Sequence, residues 1–163
     1  LIISRRRRIK RFYHKRRNYI LLNKNILLSG IFAFFGGATF TQLYSRYDPN
    51  SLSNSIATLT VEYAIYIPLF ALFFYIDNRL RYIDPSTGRK SQQKVISDVK
   101  KLLAAFSVSE IIYSISKIAI HFKLLESTMV EPYQASMIGS LVAWAIFLFT
   151  VNFSVKAVKL FRS

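Results

Sequence analysis

Five side chains in this sequence could do chemistry in an apolar medium: Glu62, Glu110, Ser114, Lys117 and His121. The last four recur at i, i+4, i+7 and i+11, so a helix presents them as one stripe. They lie in residues 102–122, LLAAFSVSEIIYSISKIAIHF, a run otherwise apolar and long enough to cross a bilayer. A charged side chain at the centre of such a run costs about 2.5 to 3.5 kcal/mol even on the lenient insertion scale. The stripe is therefore expected to face protein or water, leaving the other faces of the helix to lipid. Two kinds of role are open to it. Glu110 can carry a proton or contact a cationic or hydroxyl-bearing substrate; alternatively, the stripe locks helices together, within the chain or to a partner subunit.

Other chemistry is poorly provided for. His14 and His121 are the only histidines, and there is no cysteine. Disulfides, thiolate metal sites and cysteine nucleophiles are thereby excluded. Glu110 and His121 lie about 16 Å apart along a straight helix, too far to share a metal ion. No Gly-rich phosphate loop follows a strand, and no Ser-His-Asp constellation can be assembled. The expectation is a protein without intrinsic catalysis, metal or cofactor.

The elements that must position these residues are membrane helices. The chain is 52% hydrophobic with a net charge of +15, and a soluble domain has no interior to take that apolar surplus. Four apolar runs stand out, at residues 26–44, 56–76, 102–122 and 135–155. In the first, Gly30, Gly36 and Gly37 with Ala33 and Ala38 form a small-residue surface where another helix can approach closely. Glu62 lies in the second, and Pro68 near its middle is expected to kink it, leaving a carbonyl near Ala64 for a neighbour to satisfy. Residues 77–101 read as a polar loop with a turn at 84–88 and a short surface helix over 92–101 leading into the third span. Pro132 stands where a helix start tolerates it, and the fourth span carries Trp144 and Asn152.

Residues 1–25 form a basic arm with ten Lys/Arg and no acid, among them Arg5, Arg6, Arg7, Arg8, Lys15, Arg16 and Arg17. Interleaved Phe12, Tyr13 and Tyr19 would suit nucleic-acid phosphates. The apolar run follows so closely, however, that the arm reads instead as a cytoplasmic flank touching anionic lipid headgroups. Nucleic acid is not an expected partner. Such an arm is expected to be mobile unless something holds it. A mitochondrial targeting arm is a further option, and no cleavable signal peptide is evident. The chain starts at Leu1, which leaves truncation, processing or an unusual start codon open.

Charge sets the expected orientation. The arm, the 77–101 loop and the carboxyl-terminal tail carry 20 Lys/Arg, against two, Arg46 and Lys123, in the other two loops. The positive-inside rule then puts both termini and the middle loop in the cytoplasm, as four spans require. Depth sets the expected pairing. Glu62 lies about 9 Å below the outer boundary and Lys117 about 8 Å below it, while Glu110 is nearer the midplane. Glu62 and Lys117 are thus expected to pair, with Glu110 protonated or bonded to serine, tyrosine or a partner chain.

The two halves of the chain share a plan at a spacing of about 75 residues. Residues 26–83 hold span, outer loop and span, closing on Asn78-Arg79-Leu80-Arg81-Tyr82. Residues 103–161 repeat that order and close on Asn152-Phe153, with Lys156, Lys159 and Phe161 after it. This layout resembles the GtrA-like family of small four-span proteins, whose halves open with a Gly/Ser-containing helix and close on Asn-Phe, basic and aromatic residues. The long arm and the Lys117 stripe depart from that pattern. The resemblance implies movement of polyprenyl-phosphate-linked sugars across a membrane. The small chains of archaeal ammonia monooxygenase are similar in style.

The expected protein is all-α and polytopic, with four transmembrane helices, both termini cytoplasmic and a 2+2 parallel repeat over residues 26–161, followed by a tail at 162–163. Its expected place is the cell membrane of a prokaryote or an organelle inner membrane. The expected role is that of a non-catalytic accessory subunit packing against other membrane subunits through its third helix; the alternative is the GtrA-like translocator.

Overall fold

The computed structural model describes residues 2–84, 88–127 and 129–158, with side chains from Arg17 onward. Four long helices make up the fold: α1 (Ile2–Tyr44), α2 (Ser51–Asn78), α3 (Gln92–Ser127) and α4 (Pro132–Ala157). A single 3₁₀ turn, Arg79–Tyr82, extends α2. All four helices are long and apolar enough to cross a membrane, the architecture of a multi-pass membrane protein. Among the described residues there is no strand, only an isolated bridge between Ile83 and Lys90.

The helices begin and end for local reasons. At α2 the Asn50 side chain accepts from the Ser53 amide at 2.9 Å, and Asp48 in turn accepts from the Asn50 amide at 2.9 Å. These carboxamide and carboxylate oxygens occupy donors that the first helical turn leaves unpaired. At α4 a capping box joins Glu131 and Gln134, with Pro132 in the first turn. Between the 3₁₀ turn and α3, the Gly88 amide donates to the Asp84 carbonyl at 2.8 Å and the Ser91 amide to Tyr82 at 2.7 Å. Gly88 sits at φ 64°, a left-handed conformation that glycine adopts without strain. The expected 84–88 turn thus has its ends in contact, while Pro85, Ser86 and Thr87 lie outside the described residues.

All four helices exceed the expected spans. The backbone of α1 runs unbroken from Ile2, so no loop separates a basic arm from the first span. Packing in α1 starts before Ile26: Leu22 is 1% exposed, and Asn23 and Asn152 exchange two amide hydrogen bonds of 2.8 Å. The side chains of Arg5, Arg6, Arg7, Arg8, Lys15 and Arg16 lie outside the described residues; that of Arg17 is exposed. The surface helix expected over 92–101 is the first part of α3 itself. In α2, the helix continues through Pro68.

Packing is most extensive within the two hairpins, α1 with α2 and α3 with α4. The α1–α4 contact closes the ring, and the α2–α3 contact is the thinnest of the four. Glycines permit the close approaches of α1. A Cβ on Gly30 would enter the Trp144 ring, one on Gly36 would meet Ile65, and one on Gly37 would meet the Glu62 carboxyl. The interior divides along its length. Toward the end that carries the basic loop it is mainly apolar, with Leu22, Ile26, Phe74, Ala105, Val151 and Val155 buried beside the polar Asn25 and Asn78. Toward the short-loop end it is polar, with Thr41, Asn54, Thr58, Lys117, His121 and Ser136 buried.

Candidate functional site: a buried ion pair and a carboxyl at a groove

Lys117 and Glu62 meet where all four helices converge. The Lys117 ammonium lies 3.0 Å from Glu62 Oε1, with side chains 0% and 4% exposed. Nζ also donates to the Ser136 carbonyl at 2.7 Å, to Ser136 Oγ at 3.0 Å and to Ser140 Oγ. Glu62 accepts from Ser140 Oγ at 3.0 Å and from the Tyr113 hydroxyl at 3.1 Å. Gly37 of α1 leaves the room its carboxyl occupies. An ammonium has three protons to give, and four acceptors surround this one. Desolvating two ions costs several kcal/mol each, and only such full coordination offsets it.

One turn toward the short-loop end, His121 Nε2 lies 3.3 Å from Thr41 Oγ1, while its Nδ1 has no partner among the described residues. Thr41 Oγ1 donates to Asn54 Oδ1 at 2.7 Å, which also accepts from Thr58 at 3.1 Å. Gly139 lets α4 close over this level; a Cβ there would stand 3.4 Å from His121.

Glu110 and Ser114 occupy a separate cluster. The Tyr63 hydroxyl donates to Glu110 Oε2 at 2.7 Å and lies 2.8 Å from Ser114 Oγ; Ser114 donates to the Glu110 carbonyl at 2.7 Å. Glu110 Oε1 receives no hydrogen bond among the described residues. Two hollows meet at this carboxyl. One is a partly open hollow of about 20 Å³ walled by Gly30, Glu62, Tyr63, Tyr66, Glu110 and Trp144, room for about one water. The other is an apolar groove of about 630 Å³ between α2 and α3. It passes Leu102, Leu103 and Phe106 on one wall and Ile67 and Phe70 on the other, and reaches Glu110.

The stripe read from sequence is therefore divided. Lys117 and His121 are turned into the chain's own bundle and have no surface to offer a partner, whereas Glu110 and Ser114 border the groove. Tyr63, Tyr113, Ser136 and Ser140 were not legible as members. The Ser136-Gly139-Ser140 pattern marks a small polar face on α4 that a lysine could enter, but the tyrosines carry no spacing that distinguishes them from core aromatics. Among the described residues no group of three or more His, Asp or Glu is placed to hold a metal ion. No family model, curated protein or solved structure matches the chain.

Proposed function

We propose that the chain is a non-catalytic accessory subunit of a larger integral membrane assembly, of which a membrane oxidoreductase such as archaeal ammonia monooxygenase is an example. The observation that carries this reading is the saturation of Lys117 and Glu62 inside the chain: these two ionisable groups bind helix to helix and are spent on one another and on α4. Outward, the helices offer apolar side chains, such as Phe149 at 79% exposure and Phe153 one turn on, which lipid or another chain covers. The basic end, with its arm and middle loop, faces the cytoplasm or the equivalent side of an organelle and touches anionic headgroups. The two hairpins, α1 with α2 and α3 with α4, fit a 2+2 parallel repeat. The test is purification from native membranes in mild detergent followed by mass spectrometry of the intact material. Other chains in fixed ratio are expected; recovery of this chain alone overturns the reading.

A second reading, movement of polyprenyl-phosphate-linked sugars, is favoured by the groove that leads from the basic end to Glu110. Its weakness is electrostatic. Among the described residues no Lys or Arg lines that groove, and a phosphate at its inner end would meet a carboxyl. Lipid-linked sugar that crosses reconstituted vesicles faster than in protein-free controls would favour this reading.

A further inference from the structure

We propose that the groove between α2 and α3 is a binding site for an uncharged, membrane-soluble molecule with a hydroxyl head, held at Glu110 by the head and along Phe70 and Phe106 by its apolar body. This goes beyond the subunit reading, which needs no ligand. Four observations converge on it. The groove, about 630 Å³, is of the size that takes a small ligand, and it opens where the helix contacts are thinnest. Apart from Ser107, whose hydroxyl is bonded to the Ala104 carbonyl, its walls are apolar or aromatic over about 12 Å of helix rise between Leu102 and Glu110. Polar groups gather at its inner end: Glu110, Tyr63 and Ser114 hydrogen-bond to one another there, and Glu110 Oε1 is left to accept. Tyr66, only 8% exposed and lining both hollows, has a hydroxyl without a hydrogen-bond partner among the described residues.

The chemistry of the head follows from what surrounds it. A carboxyl without a neighbouring free cation repels a phosphate or a carboxylate, and Lys117 is already enclosed by Glu62, Ser136 and Ser140. An ammonium would meet Glu110, but must leave water to reach that depth. A neutral hydroxyl escapes both costs. It donates to Glu110 Oε1 and can accept from Tyr66, two bonds that a plain hydrocarbon cannot make.

The experiment uses the full chain in nanodiscs with three photoactivatable probes of equal chain length: a long-chain alcohol, its methyl ether and the corresponding fatty acid. The alcohol is expected to label α2 and α3 peptides facing the groove at least about tenfold more than either competitor, because a site built for a donor discriminates against its absence. Glu110→Gln is expected to lower that labelling about tenfold. Leu103→Trp, which obstructs the groove without touching the polar cluster, is expected to abolish it, so a folding defect at Glu110 does not decide the matter. Equal labelling by alcohol and ether, or labelling that survives Leu103→Trp, marks ordinary lipid contact and overturns the proposal. So does a photo-crosslinking residue at Ile67 that captures another polypeptide in native membranes, which makes the groove a seat for a partner helix.

Discussion

The residue that most constrains this molecule is Lys117, a cation with no exposed surface and four acceptors around it. Removing one partner of a buried pair leaves the other charge uncompensated, which costs about 3 to 5 kcal/mol. Lys117→Met and Glu62→Gln are each expected to destabilise the bundle on that scale. The double variant is expected to lose much less than the sum, and additive losses in denaturation by a graded detergent series would show that the pair is not coupled. Gly37→Ala probes the same contact from α1, because its methyl group would meet the Glu62 carboxyl. A loss of about 1 to 3 kcal/mol is expected, and a much smaller loss in Glu62→Ala, where the obstruction is gone; equal losses in the two backgrounds would rule out this contact. Glu62, Glu110 and Lys117 announced themselves as charges in apolar runs, whereas Tyr113 and Ser140 did not. A buried hydroxyl matters only through its neighbour, and the neighbours come from other helices.

The helix ends carry their own electrostatics. The Asn50 amide and the Ser53 hydroxyl, with a contribution from Tyr44, hold the Asp48 carboxyl below its ordinary value of 3.8. A depressed carboxylate adds stability above its unfolded pKa and loses it as pH falls through the folded value. The start of α2 is therefore expected to loosen only below pH 3.8, and in Asp48→Asn that acid-dependent step disappears. A carboxyl carbon titration by NMR with its midpoint at or above 3.8 would contradict this. Asn50→Ala removes the cap itself and is expected to cost about 1 kcal/mol, readable as a lower melting temperature. Elements also show where reading a sequence by hydropathy stops short. The boundary drawn at residue 26 follows the charges, yet α1 is continuous across it and packs from Leu22 onward. Helical hydrogen bonding ignores a change of polarity, and Asn23 is placed by its pairing with Asn152, a partner three helices further along the chain that hydropathy does not reveal.

For the whole molecule, the sharpest prediction concerns orientation. The chain has no cysteine, so single introduced thiols report cleanly. Tyr47 and Met129 stand exposed at the short-loop end and Leu80 at the basic end. In intact cells a membrane-impermeant maleimide is expected to label Tyr47→Cys and Met129→Cys and to spare Leu80→Cys; the reverse pattern would invert the topology. The number of helices and the presence of ions among them were determined by the sequence alone, because burying apolar length in hydrocarbon is a property of composition and run length. Two features were decided only by tertiary structure. Lys117 turned into its own bundle because Gly139 left it room, the serines of α4 offered acceptors, and Gly37 made space for the Glu62 carboxyl it meets. The groove reaching Glu110 arose because α2 and α3 meet less closely than the other neighbours. Both depend on how helices pair in space, and hydropathy along one strand of sequence does not carry that pairing.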